Sequence, residues 1–106
     1  MTLATEIYSL IKLLPREETF ALSAQMRRAA VSIPSNIAEG QGRNSDKEFI
    51  NFISIARGSL WELSTQLELC ERLSYISAAQ KAETDILVTE VSKMLNALAK
   101  SLTNNV

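Results

Sequence analysis

Four stretches of the chain repeat apolar residues at helical spacing. The first runs from about Thr2 to Leu14, with Leu3, Ile7, Leu10, Ile11 and Leu14 on one face and Pro15 behind them as a stop. The second starts near Glu17 and Glu18, acids suited to a helix N-terminus, and carries the stripe Leu22, Met26, Ala29, Ala30, Ile33 and Ile37. Gly40 is expected to cap it. Pro34 lies inside, where it deletes a backbone hydrogen bond and crowds the preceding turn. A kink is therefore expected, with the Ser32 hydroxyl available to the released carbonyls. The third opens at "SDKE", where Ser45 and Glu48 form a capping box. Its stripe, Phe49, Ile53, Ala56, Leu60, Leu63, Leu67 and Cys70, follows a coiled-coil spacing and predicts a helix to about Leu73. The fourth opens at "SAAQ", a second capping box between Ser77 and Gln80, with Leu87, Val91, Met94, Leu98 and Leu102 as its seam. The closing "TNNV" is expected to fray.

Short loops between long amphipathic helices favour antiparallel neighbours. The pattern predicts an all-α, up-down-up-down four-helix bundle with a kinked second helix, one domain over residues 1–106. The third helix, at about 29 residues, should span roughly 44 Å, and the first, at about 13, roughly 20 Å. The short helix cannot cover the long one, and the apolar surface left over suits an oligomer. A second face on the third helix agrees: Phe52, Ile55, Ser59, Glu62, Gln66 and Leu69 line up beside the seam, with Trp61 off it. This face is too apolar for free solvent and too polar for a dry core, so Phe52, Ile55 and Trp61 are candidate subunit contacts. The alternative is a broad core stripe with a partly covered tryptophan.

Composition narrows the classes of function. With three glycines and two prolines in 106 residues, few turns are available, which favours a few long elements. The net charge is −1, and acids and bases are spread evenly along the chain. Proteins that hold nucleic acid through its phosphates carry a basic excess. Any basic surface here would have to be assembled locally or by an oligomer. A lone cysteine, Cys70, allows no intrachain disulfide and suits a reducing cytoplasm. "MTLATEIYSLIK" has no signal pattern, and no apolar run approaches the ~18–20 residues that cross a bilayer, so a cytoplasmic protein without a membrane partner is expected.

The densest cluster of special residues is "RRAAVSIPSNIAEGQGR", Arg27 to Arg43. Arg28, Ser32, Asn36 (or Ser35) and Glu39 share one helical face, and Arg57, Ser59 and Glu62 on the third helix offer complementary groups. Glu39 with Arg57, and Arg28 with Glu62, are the obvious pairs. One reading is a polar network that sets the register of the two helices, within or between subunits. The other is a ligand or nucleic-acid surface of Arg27, Arg28, Arg43 and Lys47, which an oligomer would repeat. "GQGRNS" is a poor phosphate loop: it follows a helix and lacks the Gly-Lys-Ser/Thr ending. Gly40 as a cap, Gly42 as a turn and Ser45 as a cap explain it better. Gly58 sits mid-helix at a cost of up to ~1 kcal/mol relative to alanine, so close helix approach is expected there, by Trp61 of a neighbour or by the Ala29–Ala30 region.

Catalytic patterns are missing. No histidine exists for a Ser-His-Asp triad or a Glu-x-x-His di-iron site. Cys70 lies on the apolar seam, and Glu39, Glu48 and Glu62 have caps or arginines to serve. A non-enzymatic protein without metal or cofactor is expected. A small-molecule pocket in the bundle or at the centre of an oligomer is the third option.

"QMRRAAVSIPSNIAEGQGR" (25–43) and "FINFISIARGSLWELSTQLELCERLSYI" (49–76) resemble, in order, the two signature blocks of the bacterial 23S rRNA intervening-sequence protein family, also labelled "four helix bundle protein". The resemblance covers nearly the whole chain. It implies a four-helix bundle that forms a homopentameric ring, with a genetic link to RNA: some genes of the family sit in insertions within ribosomal RNA genes. The related accessory protein of diversity-generating retroelements is a similar pentamer that associates with a reverse transcriptase and nucleic acid. The expected partners are therefore further copies of the chain and RNA or an RNA-associated protein. The start departs from the family pattern, where a further apolar segment with aromatics precedes the part matching "LATEIYSL".

Overall fold

The computed structural model describes residues 2–104. It is all-α: α1 (Thr2–Ile11), α2 (Leu22–Gln41), α3 (Asp46–Arg72) and α4 (Ala78–Asn104), with one 3-10 turn at Arg16–Glu18. The helix starts follow the expected chemistry. At α3 the Glu48 amide donates to Ser45 Oγ at 3.1 Å. At α4 the capping box is complete: the Gln80 amide donates to Ser77 Oγ at 3.1 Å and the Ser77 amide to Gln80 Oε1 at 2.8 Å. The fraying expected of Asn105 and Val106 falls outside the described residues, while helix continues through Asn104.

Three helix ends differ from the expectation. α1 stops at Ile11, although Leu14 is still buried beneath the following turn. Glu17 and Glu18 do not start α2. They form the 3-10 turn, which Tyr75 holds by donating its hydroxyl to Glu18 Oε2 at 2.8 Å. Arg27 also donates to the Thr19 carbonyl at 3.1 Å, tying that turn to α2. Side chains that could have capped a helix are thus spent on joining two loops. At the other end α2 runs on to Gln41, and Gly40 is buried inside it rather than capping it. The capping residue is Gly42, in an ordinary right-handed conformation (φ −79°). α2 continues unbroken through Pro34.

α3 ends in a different manner. Ser74 takes a left-handed conformation (φ 62°), the Tyr75 amide donates to the Cys70 carbonyl at 2.8 Å and the Ser74 amide to Glu71 at 2.9 Å. This is a Schellman cap built without glycine.

Consecutive helices pack together and α1 closes against α4, while the backbones of the diagonal pairs stay apart. Contacts between α2 and α3 run in opposite senses: Met26 meets Cys70, Ser32 meets Ser59, and Gly40 meets Phe49 and Phe52. The core is Ile7, Met26, Ala30, Ile53, Ala56, Leu60, Leu63, Leu67, Cys70 and Leu95, each all but inaccessible, with smaller contributions around them. Every predicted position of the α3 seam is buried except Phe49, which packs on its edge. The α4 seam holds at Leu87, Val91, Leu98 and Leu102, which all pack against the core, but not at Met94, which is 69% exposed. Leu95 takes that place, and the buried line reaches back through Val88 to Thr84. A threonine letter concealed the start of this line. Thr84 is fully buried because its hydroxyl donates to the Gln80 carbonyl at 3.0 Å within its own helix.

At 10 residues α1 is far shorter than the 27-residue α3 and α4, and the molecule extends 47 Å along its longest axis. The inequality of length expected from the sequence is present.

Candidate interaction surface

The polar residues of α2 and α3 divide into a joined group and a scattered one. Ser32 Oγ and Ser59 Oγ lie 2.8 Å apart, and Asn36 Nδ2 donates to the Ser32 carbonyl at 2.8 Å and to its hydroxyl at 2.9 Å. The three small polar residues make a cross-helix clasp. The Ser32 hydroxyl is engaged there instead of with the carbonyls released by Pro34. The charged members do not join it. Glu39 pairs with Arg43, one turn along, at 2.7 Å, and not with Arg57. Glu62 accepts from Gln66 Nε2 at 3.3 Å, and not from Arg28. Arg28 is exposed on the rim of a shallow groove with Tyr8, Ala24 and Val31. Arg57 Nε and Gln66 Oε1 are buried without a hydrogen-bond partner among the described residues.

The four candidate nucleic-acid contacts do not form one patch. Arg27 and Arg28 lie in the first half of α2, while Arg43 follows its last turn, roughly 22 Å further at ~1.5 Å per residue. Arg27 is held by the Thr19 carbonyl. Arg43 binds Glu39 and stacks its guanidinium 5.0 Å from the centre of the Phe52 ring. Lys47 stands beside Ile50, Asn51 and Thr103 at the start of α3.

The second face of α3 is split in the same way. Phe52 and Ser59 turn toward α2 and Gln66 is buried, so Phe52 is largely absorbed by contacts in its own chain: its Cβ abuts Gly40 and its ring carries Arg43. Ile55 (52% exposed) and Trp61 (62% exposed) remain outside, with Leu69. Gly58 lies between them at helical spacing. A Cβ placed on it would meet nothing within 4 Å, so neither Ala29–Ala30 nor any other described part of the chain makes the close approach expected there.

A charged cluster escaped the sequence reading. Lys81 Nζ reaches Asp85 at 2.6 Å and Glu68 at 3.5 Å, and Arg72 donates to Glu68 at 3.0 Å. The hydrogen bond from Arg72 holds the Glu68 carboxyl below its ordinary range, and that from Lys81 to Asp85 pushes the Lys81 ammonium up. The i,i+4 pairs 68/72 and 81/85 were the available signal.

Burial pushes the Cys70 thiol up to about 11, so it stays protonated at neutral pH; Met26 Sδ lies 3.6 Å away. Among the described residues no group of three His, Cys, Asp or Glu side chains could hold a metal ion. A cavity of about 100 Å³ opens among α1, α2 and α4, walled by Leu3, Ala30, Ile33, Pro34, Val91 and Leu95. It is smaller than the ~300–1,000 Å³ of usual ligand sites and has no polar side chain to orient a ligand. Among the described residues no helix is long and apolar enough to cross a membrane.

The family model for the 23S rRNA-intervening sequence protein matches residues 1–97. Among solved structures, the chain is similar to a protein of unknown function from the S23 ribosomal protein family of Bacteroides thetaiotaomicron. The two are 34% identical, 93% of each chain is covered, and the TM-score is 0.85. No match is found among curated proteins.

Proposed function

The chain belongs to the 23S rRNA-intervening sequence protein family, and from that premise we propose that it is a non-enzymatic, up-down-up-down bundle that assembles with copies of itself, as a ring of five. In this reading it works in the bacterial cytoplasm as a scaffold or adaptor for RNA or an RNA-associated protein. The observation that carries the reading is the outer face of α3. Ile55 and Trp61 stand more than half exposed there, beside Leu69 and a glycine whose open side no described residue fills. Apolar residues clustered around an aromatic anchor are the composition of a subunit contact. The number of subunits and the RNA link are drawn from the family resemblance alone.

Direct binding of nucleic acid through Arg27, Arg28, Arg43 and Lys47 draws less support, because two of these cations already have partners and the set spans both ends of α2. Light scattering on the wild type and on Trp61→Ala tests the proposal. A mass near five chains that falls in the variant supports it. A wild type that stays monomeric across the concentration range overturns it.

A further inference from the structure

We propose that the contact between copies is made by two different surfaces: the α1–α2 groove of one copy seats over Gly58 on α3 of the next, receiving Trp61 between Tyr8 and Val31 and pairing Arg28 with Glu62 across the joint. This joint presupposes the self-assembly proposed above and specifies its register.

Four observations meet at this joint. Gly58 lies at the centre of the outer face of α3, where a glycine weakens the helix relative to alanine and nothing among the described residues uses the missing side chain. A bare helix surface at that point lets a second helix approach closely. Trp61 and Glu62 stand beside it, one turn along. Trp61 is a large apolar group at 62% exposure, and Glu62 is an exposed carboxylate with only a long contact to Gln66.

The other half of the joint is on α1 and α2. Tyr8 and Val31 are both more than two-fifths exposed, and with Ala24 they line a shallow groove whose rim carries Arg28. No ion pair engages Arg28 among the described residues. The groove thus offers an apolar floor and a cation, and α3 offers an indole and an anion. The fit is between unlike surfaces at different places on the bundle. A contact of that kind passes from copy to copy in one direction and closes into a ring when the rotation allows.

Charge reversal and mixing test the pairing. Arg28→Glu and Glu62→Arg both change exposed residues, and circular dichroism checks that each variant stays helical. Each single reversal places like charges across the joint and should weaken assembly by about tenfold or more. The double reversal should restore it. The decisive step is to mix the two single variants. Wherever the two variants alternate, opposite charges face each other again at every joint, in either order. Mass should therefore reappear on mixing, in part for a ring of five, since an odd ring cannot alternate all the way round. A pair formed inside one chain could not be rescued in this way. Trp61 is the only tryptophan, so its emission gives a second readout: it should shift to the blue and resist acrylamide quenching as the mass rises.

If the wild type assembles but the single reversals keep full mass, or if mixing restores no mass, the proposed joint is wrong while self-assembly stands. If Trp61 stays fully quenchable in the assembled protein, the joint is likewise overturned. If the wild type never assembles, self-assembly itself falls, and the joint with it.

Discussion

Gly40 on α2 and Gly58 on α3 are both helical glycines, and their surroundings are opposite. A Cβ on Gly40 would lie 2.7 Å from Phe49 Cδ1 and 2.9 Å from Phe52 Cβ. The glycine is the hole into which the first turns of α3 pack, and Phe52 Cβ is too close to the backbone to swing aside. At Gly58 the same test meets open space. One glycine is accounted for by the fold of a single chain. The other weakens α3 for no return among the described residues. That contrast is what the proposed assembly would explain, since a second copy seated on α3 would use the space that Gly58 leaves.

Ser74 sharpens the point from the other direction. It holds the left-handed position at the end of α3 that glycine fills most easily, while among the described residues no glycine has a positive φ. Gly40 and Gly58 therefore serve space and not backbone conformation. Gly40 admits two phenylalanines, and Gly58 leaves a bare patch between Ile55 and Trp61.

The largest expected effect comes from closing the occupied hole. Gly40→Ala should destabilise the protein by about 1–3 kcal/mol, read from urea unfolding at fixed protein concentration, because α3 must shift to make room. An unchanged midpoint would show that the α2–α3 crossing is looser than the contacts indicate. Next comes the clasp between those helices. Ser32→Ala leaves the Ser59 hydroxyl and one Asn36 hydrogen bond unmatched at a part-buried site, and should lose about 1–2 kcal/mol by the same measurement. Ser74→Gly should gain roughly 1 kcal/mol by relieving the left-handed strain, and a loss would contradict the backbone geometry at the end of α3.

The smallest effect on the folded chain is the most telling. Gly58→Ala should stabilise the dissociated chain by up to ~1 kcal/mol through helix propensity, seen as a higher thermal midpoint in dilute solution. The same change should lower the assembled mass, since the added methyl stands where a second copy would approach. A gain in both would mean that Gly58 faces solvent in the assembly as well. Because assembly makes apparent stability depend on concentration, both measurements need matched dilution series.

Much of the bundle is legible in the letters. The heptad from Phe49 to Cys70 and the helix N-caps at Ser45 and Ser77 are local patterns, and local patterns decide whether a helix forms and which side it buries. The sequence alone also reveals the inequality of α1 and α3 and the absence of histidine chemistry. Tertiary structure decided the rest. It placed Glu18 on Tyr75 instead of at the head of α2, because a carboxylate goes to whichever donor the folded chain brings near. It brought Arg57 into no ion pair with Glu39, which pairs instead with Arg43 one turn along its own chain, a contact that needs no second element in register. It put Leu95 in the α4 seam instead of Met94 and carried that seam back to Thr84, because a threonine whose hydroxyl is satisfied by its own helix packs as an apolar group. The meaning of a glycine, finally, depends on what stands opposite it, and only the three-dimensional arrangement shows that Phe49 and Phe52 stand opposite Gly40 while no described residue stands opposite Gly58.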